Sequence, residues 1–209
     1  AGSAVDIGEK IRNGAKAIIH AWYPGALGGL AVAQLIAGEF SPSGRLPVTF
    51  FKESEELRPF EDYSMEERTY RFYTGKPLYP FGYGLDYTDF SCDDAVLVSE
   101  DSDVLKIRVS VSNRGKRDGT HIVQLYARMT DSRARTPLFQ LCGLGRAELR
   151  AGETKDIVLE VSKYWLCVVD DDGKRRAPDS GITLFAGGHQ PDERSNELCA
   201  RRCVELRIE

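Results

Sequence analysis

Two hydrophobic rhythms run along this chain, and one gives way to the other near residue 85. In the first part helix and strand signals alternate. Asp6 stands where an N-cap belongs, ahead of a short helix predicted over residues 7–14. Ala17-Ile18-Ile19-His20-Ala21-Trp22 is a short apolar run, the pattern of a strand buried on both faces of a parallel sheet. Tyr23-Pro24-Gly25 reads as a turn. Residues 27–37 are apolar nearly all round, which predicts a helix buried against a sheet, with Gly38 as its C-cap. Ser41-Pro42-Ser43-Gly44 is a second turn, and Leu46-Pro47-Val48-Thr49-Phe50 reads as extended. Together these predict a β-α-β unit and hence α/β architecture. One such unit cannot make a domain, because so small a sheet leaves its apolar edge bare.

The second part alternates with period two. In Leu105-Lys106-Ile107-Arg108-Val109-Ser110-Val111 the apolar side chains share one face and the polar ones the other. Asn113-Arg114-Gly115 is a turn, and Val123-Gln124-Leu125-Tyr126-Ala127 is the next strand. Ile157-Val158-Leu159-Glu160-Val161 follows the Ala151-Gly152-Glu153 turn. Val168-Val169 leads into Asp170-Asp171-Asp172-Gly173, a hairpin signal. Ile182-Thr183-Leu184-Phe185-Ala186 and Val204-Glu205-Leu206-Arg207-Ile208 close the series. Short strands separated by turn chemistry predict an antiparallel β-sandwich of immunoglobulin-like type. The predicted fold class is therefore α+β and multi-domain, with a boundary between 1–85 and 86–209.

Composition narrows the partners. At about 150 residues per domain, the 209 residues hold one large domain, or one domain and a piece of another. A hydrophobic content of 42% and a charged content of 29% are globular values. A net charge of −4 argues against nucleic acid, which needs a basic surface. No apolar run approaches the 18 or so residues of a membrane span. The five cysteines are odd in number and form no C-x-x-C pair, which favours reduced thiols and a cytoplasmic protein. The three histidines are far apart, so no zinc site, nor any other metal site, is expected. The opening Ala1-Gly2-Ser3, without methionine, reads like the middle of something. Thirteen of the 20 aromatic residues fall between Phe40 and Phe90, so that stretch must pack or stack against something.

Self-contained catalytic machinery is not visible: there is no G-x-S-x-G elbow, P-loop or G-x-G-x-x-G. Gly143-Leu144-Gly145 lacks the third glycine and opens no helix. Asp170-Asp171-Asp172-Gly173 lacks the alternating ligands and distant glutamate of a calcium loop. The acidic stretch Glu61-Asp62-Tyr63-Ser64-Met65-Glu66-Glu67-Arg68-Thr69-Tyr70-Arg71 mixes carboxylates, guanidinium groups and aromatics. Sugar sites use that palette, and so does a solvated loop held by local Glu–Arg pairs. His20 reads as a core histidine rather than a proton shuttle. Tyr79-Pro80-Phe81-Gly82-Tyr83-Gly84-Leu85 reads as a packed joint between two domains rather than a binding box.

Ala21-Trp22-Tyr23-Pro24-Gly25, Gly28-Gly29 and Ser41-Pro42-Ser43-Gly44-Arg45-Leu46-Pro47-Val48-Thr49-Phe50 together resemble the C-terminal part of glycoside hydrolase family 3. So do Thr69-Tyr70-Arg71-Phe72-Tyr73 and Leu78-Tyr79-Pro80-Phe81-Gly82-Tyr83-Gly84-Leu85-Asp86-Tyr87-Thr88. The stretch from Val109 to Asn113, with Gly115, Gly119 and Val123 to Tyr126, resembles the fibronectin-III-like domain that ends many β-glucosidases and β-xylosidases of this family. The resemblance implies that residues 1–85 are the terminal part of an α/β sandwich domain and residues 86–209 a complete fibronectin-III-like sandwich. It implies an exo-acting, retaining β-glycosidase as parent, with a (β/α)8 barrel and the first part of the α/β domain as its missing partners. The substrate would be a β-glucoside or β-xyloside, and no cofactor is implied. The family's nucleophilic aspartate and acid/base glutamate belong to segments outside this sequence, so no catalytic residue is carried over and the chain alone is expected to be inactive. Glu66 and Glu67 match no catalytic motif. Asp62, Tyr63 and Arg68 are the candidate substrate-binding residues, on the rim of the site. The competing reading is a non-catalytic carbohydrate- or protein-binding module or scaffold.

Overall fold

The structure, a computed structural model, describes residues 2–52, 57–131 and 133–208. Its hydrophobic core lies in the second part of the chain. Strands β1 (Phe90–Glu100), β2 (Val104–Asn113) and β5 (Thr154–Ser162) form one antiparallel sheet in the order β1-β2-β5. Strands β3 (Gly119–Met129), β4 (Gln140–Leu149), β8 (Ile182–Gly187) and β9 (Val204–Ile208) form the other, in the order β4-β3-β8-β9. The two-residue strands β6 (Val168–Val169) and β7 (Arg175–Arg176) make a separate hairpin. A 3-10 turn, Lys163–Leu166, follows β5.

The alternation seen in the sequence becomes the inner lining of this sandwich. Ile107, Val109, Val111, Val123, Leu125, Val161, Leu184 and Ala186 are fully buried and belong to one cluster. Each large aliphatic side chain buried in this way contributes about 1.5–3 kcal/mol of transfer free energy, so this lining is the main source of stability. The strands predicted at 105–111, 123–127, 157–161, 182–186 and 204–208 all form. So does the hairpin at Asp170, where the Gly173 N–H donates to the Asp170 carbonyl at 3.0 Å.

Strands β1 and β4 carry no clean alternation, and the pattern missed them. The β1–β2 pairing shifts register between Cys92 and Asp94 and again between Leu97 and Ser99. Each bulge puts successive side chains out of phase with the faces. In β4 the two sheets lie so close that a Cβ on Gly145 would sit 2.4 Å from Leu159 Cδ2. Helix α4 (Glu193–Cys199) also escaped prediction, though Asp192 caps it with a 2.9 Å bond from the Ser195 N–H.

The first part of the chain is built differently from expectation. Helix α1 (Glu9–Gly14) begins after Gly8, not after Asp6. Asp6 instead takes the Gly8 N–H at 2.8 Å and pairs with Arg12. Helix α2 (Gly28–Ala37) forms as predicted, and Gly38 closes it in the left-handed conformation. The flanking strands do not form among the described residues: residues 17–22 are irregular, and the 46–50 segment makes one bridge, Phe50 to Tyr79. Nor is the helix buried. Leu27, Leu30 and Ile36 are 73%, 57% and 68% exposed. A parallel strand and the helix above it become regular and dry only inside a wider sheet, and among the described residues these have no such neighbours. Among the described residues before Phe90, the large hydrophobic side chain that is buried is Phe50.

Candidate functional site: the acidic loop and the aromatic joint

The acidic loop is tied to itself. Arg58 Nε donates to Asp62 Oδ2 at 2.7 Å and Nη1 reaches Glu66 at 3.2 Å. Asp62 Oδ1 accepts the Ser64 N–H at 2.9 Å. Hydrogen bonds from Ser64, aided by the Arg58 guanidinium, hold the Asp62 carboxyl down at about 2, so it is ionised at neutral pH. Arg68 Nη2 donates to the carbonyls of Pro59 and Asp62, at 2.7 and 2.8 Å. Glu67 accepts the Thr74 N–H at 2.8 Å and the Thr74 hydroxyl at 2.9 Å, fastening the far end past helix α3 (Thr69–Phe72). Of the three candidate residues, Asp62 and Arg68 therefore brace the loop, and Tyr63 stands out from it, 87% exposed. The local ion pairs expected of a solvated loop are present, Arg58 with Asp62 and with Glu66.

The aromatic segment that follows is a packed joint. Tyr70 stacks on Phe81 with centroids 4.1 Å apart, and its hydroxyl accepts the Leu141 N–H of β4 at 3.1 Å. Gln124 of β3 is buried beneath the segment. Its Nε2 donates to the carbonyls of Gly82 and Gly188, each at 2.8 Å, and its Oε1 accepts the Tyr126 hydroxyl at 2.6 Å. Gly82 has φ +79°, and a Cβ there would lie 2.2 Å from Gln124 Oε1, so the position needs glycine on both counts. Arg45 and Asp86 close the other side with a 2.7 Å ion pair, both side chains nearly buried. Burial raises the Asp86 carboxyl above its ordinary value against the pull of Arg45. These contacts couple residues far apart in sequence, and no periodicity announces Gln124, Arg45 or Asp86 as partners.

His20 packs edge-on against Trp22 at 4.2 Å and Phe50 at 5.3 Å, as a packed aromatic rather than a shuttle. Its Nε2 is covered and has no hydrogen-bond partner among the described residues. Burial lowers its pKa, which favours the neutral ring. Among the described residues no group of three or more His, Cys, Asp or Glu side chains could hold a metal ion, and no helix is long and apolar enough to cross a membrane.

The Glycosyl hydrolase family 3 C-terminal domain model matches residues 1–87, and the Fibronectin type III-like domain model matches residues 121–190. The chain is 41% identical to a xylan 1,4-beta-xylosidase of Xylanibacter ruminicola over 70% of its own length, which is 17% of that protein. It is 32% identical to a periplasmic beta-glucosidase of Salmonella typhimurium, over 72% of this chain and 22% of that one. A solved β-glucosidase from Erythrobacter marinus superposes with a TM-score of 0.76 at 31% identity, covering 95% of this chain and 26% of that one. The chain thus spans about a fifth of the length of the curated relatives it matches. The chain belongs to glycoside hydrolase family 3, corresponding to the family's C-terminal domain followed by a fibronectin type III-like domain.

Proposed function

We propose that this chain is the C-terminal portion of a retaining, exo-acting β-glucosidase or β-xylosidase that removes terminal β-linked sugars. Residues 1–85 complete an α/β sandwich, residues 86–209 clamp it from outside, and the joint around Gln124 transmits the clamp. The observation that carries the reading is the bare apolar surface of the first part: α2 exposes Leu30 and Ile36, and Ile18 and Ile19 are 45% and 44% exposed. Contiguous exposed apolar surface marks an interaction site, and the match to a part of much longer enzymes supports the rest of such an enzyme as the partner.

Retention requires a nucleophilic carboxylate and an acid/base carboxyl about 5–5.5 Å apart. Glu66 is engaged by Arg58 and Glu67 by Thr74, which supports placing the catalytic pair on the remainder of the enzyme. The role of this chain is then to hold the sheet and to offer Tyr63, backed by Asp62 and Arg68, to the sugar beyond the scissile bond. Burial pushes the Cys92 and Cys142 thiols up to about 12, so both stay protonated at neutral pH. The five free thiols support a reducing, cytoplasmic setting.

The test is to assay aryl β-glucoside and aryl β-xyloside with this chain alone, with a preceding barrel-containing portion alone, and with both. Turnover restored only by the combination is the expected result. Turnover by the 209-residue chain alone would refute the placement of the catalytic pair, and a combination that cleaves neither substrate would favour a binding module.

A further inference from the structure

Helix α3 is four residues long and buries none of them. Helices shorter than about 12–15 residues are marginal in water on their own, so something else must hold this one. The backbone around its start is left-handed, with φ +52° at Glu67 and +57° at Thr69. A β-branched residue is rarely found there and persists only where its surroundings over-determine it.

Those surroundings come from one stretch of the sandwich, residues 131–141. The Leu138 N–H donates to the Arg71 carbonyl at 2.7 Å, and the Leu141 N–H donates to the Tyr70 hydroxyl at 3.1 Å. The Arg135 guanidinium lies 5.1 Å from the centre of the Phe72 ring, within cation–π range. Tyr70, Arg71 and Phe72 are thus all met from this stretch. The stretch is itself anchored. Asp131 takes Arg176 through both carboxylate oxygens, at 2.6 and 2.8 Å, and accepts the N–H groups of Arg133 at 2.9 Å and Asp179 at 2.8 Å. A two-point Arg–carboxylate pair fixes direction as well as distance.

On the other side of α3, the bonds that brace the acidic loop run within residues 58–74. Loop and helix therefore form one piece, whose direction is set where α3 meets the sandwich. We propose that residues 131–141 are a strut that aims the acidic loop, with Arg135 as a positioning residue acting through Phe72. The effect of the strut on substrate rests on the proposed presentation of Tyr63 to the sugar beyond the scissile bond, whereas the strut itself does not.

Amide hydrogen exchange of the 209-residue chain tests the strut. In Arg135→Ala the amides of Arg68, Tyr73 and Leu138 are expected to exchange about two- to fivefold faster, the size of one exposed cation–π contact. The amides of β2 and the melting temperature are expected to stay at parent values. Arg135→Lys keeps a cation at the site and is expected to restore the parent rates. Arg175→Ala removes a different exposed cation, 4.0 Å over Tyr164, and is expected to leave these amides unchanged. In the assembled enzyme, Arg135→Ala is expected to raise KM for cellobiose or xylobiose about two- to fivefold at constant kcat. KM for a methyl β-glycoside, which lacks the second sugar, is expected to stay constant. Parent-like exchange in Arg135→Ala, equal acceleration in Arg175→Ala, or no rescue by lysine would each overturn the strut. Faster exchange with unchanged disaccharide KM in an active assembly would overturn the positioning role. A parent assembly that cleaves no glycoside would overturn the proposed function, while the exchange rates would still decide the strut.

Discussion

His121 lies under the joint, 5% exposed, with its Nδ1 covered and unpartnered among the described residues and its ring 4.9 Å from Phe90. Burial, then the Arg45 guanidinium with further contributions from His189 and Arg201, lower its pKa to about 3. A histidine depressed in this way stays neutral in the fold. As pH falls below its ordinary value near 6.5, the unfolded chain takes up the proton first. Stability present above that value is therefore lost progressively down toward pH 3, at a rate of up to about 1.4 kcal/mol per pH unit. His189, also lowered chiefly by burial, acts in the same direction. Melting temperatures measured between about pH 7.5 and about pH 5 are expected to fall, and His121→Gln to flatten that slope. An unchanged slope in the variant would remove His121 from the account. A second residue-scale expectation concerns Gly82. Gly82→Ala forces a Cβ into Gln124 at positive φ, so it is expected to cost more than about 1 kcal/mol and to speed proteolysis between residues 79 and 90. Wild-type cleavage rates would contradict the tight joint.

Among the elements, the sandwich strands differ in how plainly they could be read. β2 alternates strictly between buried and partly buried positions over its whole length, and the period-two pattern of the sequence is that alternation seen before folding. β1 and β4 carry the same architecture without the signal, because bulges shift one of them and the close sheet at Gly145 strips side chains from the other. The joint was legible only as a density of aromatics between Phe40 and Phe90. Its polar clasp, Gln124 with Gly82 and Arg45 with Asp86, was not legible, since contacts between distant residues leave no local pattern. The acidic loop was legible as a palette, whereas the division of roles between Asp62 and Arg68 on one side and Tyr63 on the other required the bonds themselves. At this scale the lining of β2 is the decisive element. Ile107→Ala, at a fully buried position, is expected to cost about 2–5 kcal/mol, read as a lower urea midpoint. A loss under about 1 kcal/mol would mean that the sandwich does not carry the stability.

For the whole molecule, the contrast is between a sandwich that closes its own core and a first part that closes almost none. The sequence predicted a β-α-β unit in residues 17–50, and its helix forms without its strands. A parallel sheet is a property of several segments together, so no single segment can display it alone. The exposed residues of α2 consequently separate two effects that usually travel together. Leu30→Glu and Ile36→Glu, at 57% and 68% exposed positions, are expected to change the stability of the 209-residue chain by no more than about 0.5 kcal/mol. The same substitutions are expected to abolish restoration of β-glycosidase turnover when the remaining portion is supplied. A chain destabilised by either substitution, or an assembly indifferent to both, would show that α2 is not a docking face.

Amide hydrogen exchange, measured on the chain alone and again with the barrel-containing portion bound, tests the central claim most directly, because protection follows local stability segment by segment. The account predicts strong protection of β2 and β3 in both states, rapid exchange in α2 in the isolated chain, and protection of α2 on assembly. Protection of α2 equal to that of β2 in the chain alone, unchanged by the added portion, would contradict it.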